Sequence, residues 1–155
     1  MAIVPFPMLD GAGRVVGFHT RSPEGEKRSI PGSNLGLFIP KTFARGESVM
    51  ICEGPTDTAA ALDMGFNAIG RPSCRACVTL TKNFLPFYDA VIVADNDCHG
   101  AGLRGATELA KVLNRPPAKI KIVSPPGKIK DLRDWVSAGL TCRELIGIIE
   151  MTPEL

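Results

Sequence analysis

The sequence predicts an α/β protein whose mainly parallel sheet is flanked by helices and preceded by a small β-rich lobe. From residue 47 onward, short apolar runs rich in Val and Ile alternate with stretches of helical periodicity. This alternation is typical of β-α-β units and of a Rossmann-like layer. Before residue 47, turn-forming residues recur between short extended segments, as in antiparallel β-structure. We therefore predict a β-rich basic lobe at residues 1–46 and an α/β domain with a C-terminal helical extension at residues 47–155.

The composition is that of an ordinary globular protein with room for one core. The chain has 155 residues, of which 45% are hydrophobic and 22% charged, and its formal net charge is +2. This charge neither requires nor excludes nucleic acid, because a basic groove can lie on a nearly neutral protein. No apolar run approaches the roughly 18 residues that a bilayer requires, and the N-terminus lacks the pattern of a signal peptide. We expect a cytoplasmic protein without membrane contact.

The five cysteines include one Cys-x-x-Cys pair, Cys74 and Cys77. Such a pair is compatible with zinc binding or redox chemistry. A structural zinc site would need a second pair or suitably spaced histidines, which the sequence lacks. Reduced thiols are the favoured interpretation.

In the lobe, extended segments are predicted at residues 3–7, 14–21, 27–30 and 36–39. Pro-Glu-Gly at residues 23–25 is expected to form the turn of a hairpin between the second and third segments. The lobe carries several basic side chains, namely Arg14, Arg21, Lys27, Arg28 and Lys41. They are relevant to function only if the hairpin lies over a phosphate site, because Arg and Lys are the usual phosphate ligands.

In the α/β domain, strands are predicted at residues 48–52, 67–69, 90–94 and 119–123, the last at the edge of the sheet. Helices are predicted at residues 58–64, 78–84, 101–113, 131–138 and 142–150. Thr56 and Asp57 are expected to cap the first helix, and Gly65 to end it. The alternative for Asp57 is a place in the outer shell of an acidic cluster around Glu53. The third helix is expected to bury Leu103 together with the alanines and leucines that share its face.

Acidic residues follow two of the predicted strands. Glu53 ends the strand at 48–52, while Asp95 and Asp97 follow the strand at 90–94. In open α/β sheets, ligands bind beyond the carboxyl ends of the strands. Close carboxylates need a compensating cation or a shared proton, and carboxylate oxygens suit Mg²⁺ or Mn²⁺. Aspartates in these positions also serve as turn formers and helix caps, so that interpretation stands beside the metal site.

Three segments together resemble the Toprim domain. They are residues 51–57 (Ile-Cys-Glu-Gly-Pro-Thr-Asp), residues 65–73 (Gly-Phe-Asn-Ala-Ile-Gly-Arg-Pro-Ser) and residues 91–97 (Val-Ile-Val-Ala-Asp-Asn-Asp). The Glu-Gly-x-x-Asp and Asp-x-Asp elements are each weak alone and fairly specific together. Toprim domains occur in bacterial and phage primases, type IA and type II topoisomerases, OLD-type nucleases and RecR-like repair proteins. The resemblance covers roughly residues 47–125.

The flanking segments look like those of phage and plasmid primases. Residues 14–21, the Lys27-Arg28 strand and Gly-Leu-Phe at 36–38 are similar to the lobe that precedes Toprim there, and residues 130–135 to the Lys-Asp segment that follows it. The resemblance implies that Glu53, Asp95 and Asp97 are metal ligands and catalytic residues, and that Asp131 is an auxiliary catalytic acid. It also implies phosphate contacts for three basic residues, which are Lys130, Arg21 and Lys27.

The implied activity is metal-dependent, template-directed synthesis of short RNA primers from ribonucleotides on single-stranded DNA. Primases of this kind also use a zinc module and often a helicase, and we expect a partner to supply them or the chain to be an excised or standalone core. A small Toprim nuclease, a non-catalytic nucleic-acid-binding module and a generic Rossmann-like domain remain alternatives. A topoisomerase would need a tyrosine nucleophile, and Tyr88, the one tyrosine, is better interpreted as packing.

Overall fold

The computed structural model describes residues 3–22 and 25–155, and these fold into two sheets. The first is antiparallel, with the order β1-β2-β3, and its strands are β1 (Val4–Leu9), β2 (Val15–Arg21) and β3 (Lys27–Ser29). The second is parallel, with the order β5-β4-β6-β7, and its strands are β4 (Val49–Glu53), β5 (Ala68–Arg71), β6 (Ala90–Val93) and β7 (Ile120–Val123). The predicted edge position of β7 is confirmed.

Five helices connect and follow the strands of the parallel sheet. They are α1 (Pro55–Asp63), α2 (Val78–Phe84), α3 (Ala101–Leu113), α4 (Leu132–Ser137) and α5 (Cys142–Met151). The predicted α/β class is therefore confirmed, and each predicted helix is present with bounds that shift by three residues at most. None of the described helices has the length and apolar composition that crossing a membrane would require.

The parallel sheet is covered on both faces, because successive residues of its strands point to opposite sides. In β4, Val49 and Ile51 belong to a core that α2 and α3 complete. The alternate residues, Met50 and Cys52, belong to a second core that α1, α4 and α5 complete. Glu53 is the one residue of β4 that is not buried, since the strand ends there at the surface.

The segment after β3 joins the two sheets. Leu37 exchanges hydrogen bonds with Leu9 of β1, and the next residue, Phe38, exchanges hydrogen bonds with Gly70 of β5. The extended segment predicted at residues 36–39 therefore forms isolated bridges to both sheets and is not a strand of either one. A side chain at Gly70 would collide with Thr58, so glycine is required where these elements meet.

The β2–β3 hairpin is confirmed by antiparallel pairing of Arg21 with Lys27. The predicted turn falls partly on residues 23 and 24, which lie outside the described residues. The lobe boundary at residue 46 remains a prediction.

Two expectations about the helices are wrong. Helix α1 begins at Pro55 after Gly54, whose φ of 82° suits glycine, and none of the described side chains caps it. Leu103 of α3 is 52% exposed rather than buried. Gly102 and Gly105 face the core in its place, because the backbones of neighbouring segments leave no room for a side chain there.

We predict that Gly102→Ala lowers the free energy of unfolding by about 1–3 kcal/mol, the usual cost of overpacking. An added Cβ would collide with the backbone carbonyl of Asp95 and push α3 away from the end of β6. The matched control is Gly147→Ala in α5, where the new methyl group meets no atom of the described residues within 4 Å. Alanine should stabilise that helix by up to about 1 kcal/mol. Urea denaturation measures the free energy of unfolding of both variants. A Gly102→Ala variant as stable as wild type would contradict the packing described for Gly102.

Candidate active site

Four carboxylates, Glu53, Asp57, Asp95 and Asp131, form an acidic cluster at the carboxyl edge of the parallel sheet. Glu53 ends β4, and Asp95 follows β6, the strand paired next to β4. Asp57 lies in the first turn of α1, directly after β4, and Asp131 is the N-cap of α4. The sheet therefore brings together residues from positions that are far apart in the sequence.

Asp95 is the most strongly perturbed member of the acidic cluster. Burial raises the pKa of Asp95 from 3.8 to about 7, and the charges of the three other carboxylates add to the increase. The charge of Lys27 on the hairpin opposes it. Asp95 thus lies within electrostatic reach of the other acids and of a basic residue from the antiparallel sheet.

Asp57 supports a neighbouring helix instead of its own. Its Oδ1 accepts a hydrogen bond from the backbone N–H of Arg133, in the first turn of α4, at 2.9 Å. Asp131 caps the same helix by accepting from the N–H of Asp134 at 2.8 Å. Burial raises the pKa of Asp57 to about 6, and the nearby charge of Asp131 adds to that increase. The prediction that Asp57 caps α1 is therefore wrong, since this side chain belongs to the acidic cluster.

Asp97 occupies a different environment, at the start of α3. Its carboxylate accepts backbone hydrogen bonds from His99 at 3.0 Å, Ala101 at 2.9 Å and Gly102 at 2.6 Å. The hydrogen bonds from Gly102 and Ala101 are the main reason that the pKa of Asp97 falls to about 2. Asp97 thus performs the turn and capping role that the sequence left open. Its predicted role as a metal ligand would use the lone pairs that these donors leave free.

Asn96, between the two aspartates, connects the acidic cluster to the Lys-Asp segment. Its N–H donates to the carbonyl of Lys130 at 2.7 Å, and its side-chain amide donates to the carbonyls of Gly127 at 2.7 Å and Ile129 at 3.2 Å. These bonds hold the loop before Asp131 against the end of β6. Sequence reasoning missed this role, because the partners lie more than thirty residues away.

Two of the three predicted phosphate ligands lie on the hairpin side of this edge. Arg21 Nη1 donates to Thr56 Oγ1 of α1 at 2.6 Å. Lys27 is exposed, and its charge acts on Asp57 and Asp95. Lys130 is exposed in the loop before α4. The hairpin thus places positive charge beside the acidic cluster, and contact with phosphate remains a prediction for all three residues.

Whether the acidic cluster suits a metal ion depends on its donors and their spacing. Within residues 3–22 and 25–155, no three carboxylate, imidazole or thiol groups lie close enough together to hold a metal ion, the predicted ligands Glu53, Asp95 and Asp97 included. The donor chemistry nevertheless fits a hard divalent cation, because all donors are carboxylate oxygens and a cation would relieve the repulsion at Asp95. Mg²⁺ commonly uses one or two carboxylates together with waters and substrate phosphates. The cluster fits such an open site.

Two other sequence expectations concern residues beside this edge. Cys74 and Cys77 are free thiols, and burial raises the pKa of both. Tyr88 packs against the core, stacks with Phe43 and accepts a hydrogen bond from the N–H of Gly46 at 2.9 Å. The interpretation of Tyr88 as a packing residue is confirmed.

Comparison with solved structures decides the fold type. The chain is similar to a DnaG primase catalytic domain bound to single-stranded DNA, with a TM-score of 0.76 and 17% identity over 98% of this chain and 52% of that one. A DNA primase domain from Pseudomonas aeruginosa gives 0.72 and 18% identity over 98% and 52%. The primase fragment of the bacteriophage T7 primase-helicase protein gives 0.70 and 19% identity over 94% and 61%.

The fold is that of a primase catalytic core. The predicted resemblance to Toprim-containing primases is therefore confirmed at the level of the fold. The chain spans about half the length of the DnaG and Pseudomonas structures. Neither a family model nor a curated protein matches its sequence.

We predict that Asp95→Asn stabilises the protein at pH 8 and has no effect near pH 3. The pKa of Asp95 is higher in the folded than in the unfolded state, so its ionisation destabilises the fold. That penalty is absent below pH 4 and grows until about pH 7. The gain should be on the order of 1 kcal/mol, because solvent screens a partly exposed carboxylate. Asp63→Asn, at an exposed position of α1, is the control for melting curves across this pH range. A difference in melting temperature between Asp95→Asn and wild type that does not change with pH would contradict the assigned environment of Asp95.

Proposed function

We propose that this chain is a primase-type catalytic core, which joins ribonucleotides into short RNA on a single-stranded DNA template. The main support is the acidic cluster at the carboxyl edge of the sheet, with basic hairpin residues beside it, on a fold shared with primase catalytic cores. Phosphoryl transfer needs little covalent chemistry from a protein, so positioning and charge are the main requirements. A cluster of carboxylates beside Arg and Lys meets both.

In this proposal, Glu53, Asp95 and Asp97 hold Mg²⁺ or Mn²⁺. The bound ions would activate the attacking 3′-hydroxyl and stabilise the leaving pyrophosphate. Asp131 is the auxiliary acid of the site, and Asp57 joins it because it shares the N-terminus of α4.

The basic residues and partners complete the proposal. Lys27 and Arg21 contact phosphates from the hairpin side, and Lys130 does so from the loop that Asn96 anchors. The partners are a single-stranded DNA template, ribonucleotides, and a helicase or zinc module that acts with this core. The bacteriophage T7 neighbour is itself a fragment of a primase-helicase protein.

The proposal predicts that the purified chain, incubated with single-stranded DNA, labelled ribonucleotides and Mg²⁺ or Mn²⁺, makes short labelled RNA. Asp95→Asn/Asp97→Asn should reduce synthesis by at least about 100-fold, since it removes two of the three proposed metal ligands. The matched control is Asp63→Asn/Glu108→Gln, which removes the same charge from two exposed helical positions. The control should retain activity.

A gel that resolves both the RNA and the DNA of this incubation distinguishes the primase from the nuclease. Shortened DNA without synthesis, lost in the double variant, would replace the primase by a nuclease that uses the same acids to activate water. Full synthesis by Asp95→Asn/Asp97→Asn would contradict the proposed site. If wild type makes no product even with a zinc module and helicase from a primase system added, the proposal of a catalytic core fails.

A second prediction separates catalysis from helix capping at Asp131. Asp131→Asn keeps the oxygen that accepts from the Asp134 N–H but removes the charge, whereas Asp131→Ala removes both. Since Asn and Asp cap equally well, Asp131→Asn should melt like wild type yet lose primer synthesis about tenfold or more. Asp131→Ala should also lose about 0.5–2 kcal/mol of stability. Full activity of Asp131→Asn would show that this residue is a cap only.

A further inference from the structure

Arg71, at the carboxyl end of β5, is a buried arginine that the proposed function does not use. Arg71 is 4% exposed, and it lies in register with Glu53 of the neighbouring strand β4. Burying a charged group is unfavourable unless partners replace the water it loses. A buried arginine at the ligand-binding edge of an α/β sheet therefore needs an explanation in terms of its partners.

The described part of the chain supplies few partners to the Arg71 guanidinium. Nη1 donates to the carbonyl of Ala76 at 3.3 Å, and Nε is buried without a hydrogen-bond acceptor among the described residues. No ion pair between Arg71 and a carboxylate is present in residues 3–22 and 25–155. A guanidinium carries five N–H donors, so most of its capacity is unused. Stability alone does not account for such a group.

The surroundings of Arg71 place it beside the acidic cluster. The backbone N–H of Gly54 donates to the carbonyl of Arg71 at 2.7 Å, which ties the end of β5 to the turn after Glu53. The following loop packs on α3, because Gly105 leaves room for the backbone of Cys74. Burial lowers the pKa of Arg71, and the charge of Glu53 opposes that decrease. Arg71 is thus within reach of the charge of Glu53 without forming an ion pair with it.

We propose that Arg71 binds a phosphoryl group at the acidic edge, as a fixed positive charge next to the proposed metal ligand Glu53. This inference rests on the proposed function in that it assumes that phosphates reach this edge. The planar fork of arginine matches two oxygens of one phosphate, which a lysine ammonium does not. A recessed guanidinium favours a small terminal group, such as nucleotide triphosphate or pyrophosphate, and a backbone phosphate of a nucleic acid strand is the other source of the same chemistry.

The test compares wild type with Arg71→Lys, which keeps the positive charge and loses the planar guanidinium that can donate two parallel hydrogen bonds to one phosphate. The matched control is Arg75→Lys, four residues further along and exposed. Calorimetric titrations with inorganic pyrophosphate and with single-stranded oligothymidylate, both with Mg²⁺, measure the two sources separately. Arg71→Lys should weaken pyrophosphate binding about tenfold or more and leave the oligonucleotide affinity unchanged, while Arg75→Lys changes neither. Weakening of oligonucleotide binding alone would assign Arg71 to a backbone phosphate. Unchanged affinity for both ligands would overturn the proposal.

A second measurement avoids substitution, in case Arg71→Lys does not fold. In wild type labelled with ¹⁵N, the Nε–H resonance of Arg71 should shift when pyrophosphate or oligothymidylate is added, because a phosphate bound to the guanidinium changes the surroundings of its N–H groups. The resonance of Arg75 should stay in place. An Arg71 resonance that neither ligand moves would overturn the proposal.

These results are independent of primer synthesis. Pyrophosphate binding that depends on Arg71, in a protein that makes no RNA with partners added, would uphold the phosphate site and reject the primase. Primer synthesis with unchanged ligand affinities in Arg71→Lys would uphold the primase and reject this role for Arg71.

Discussion

The parallel pairing of β4 with β6 is the constraint on which the candidate site depends. Because Met50 lies beside Val91 and Ile51 beside Ile92, both strands run in the same direction and end at the same edge. Residues about forty positions apart in the sequence thereby become neighbours. The apolar cores on the two faces of the sheet hold this register, since slipping by one residue would turn every buried side chain toward the opposite face. The acidic cluster is a consequence of that packing.

Gathering carboxylates at one edge has an electrostatic cost, visible in the raised pKa values of Asp57 and Asp95. The fold tolerates this cost because backbone N–H groups at the start of α4 donate hydrogen bonds to the carboxylates of Asp57 and Asp131. Lys27 contributes from the hairpin. A divalent cation, as in the proposed function, would offset the remaining negative charge.

The β-rich lobe is attached to this edge by specific contacts. Phe38 pairs with Gly70 at the end of β5, and Arg21 donates to Thr56 at the start of α1. Both contacts fall beside the strand ends where the acids are found. The basic hairpin therefore lies next to the acidic cluster, beside the proposed phosphate site.

Periodicity and turn residues alone allowed prediction of the α/β class, every helix and the strand ends that carry Glu53 and Asp95, because burial of an apolar face imposes patterns that are local in the sequence. The same reasoning failed where partners are distant. The sequence predicts Asp57 as the cap of its own helix, yet its carboxylate accepts a hydrogen bond from the backbone N–H of Arg133. Neither Asn96 nor Arg71 has a local sequence pattern that reveals its surroundings. Hydrogen bonds and charge interactions between strand ends and loops depend on how the chain packs in space, and the linear order of residues does not encode those distances directly.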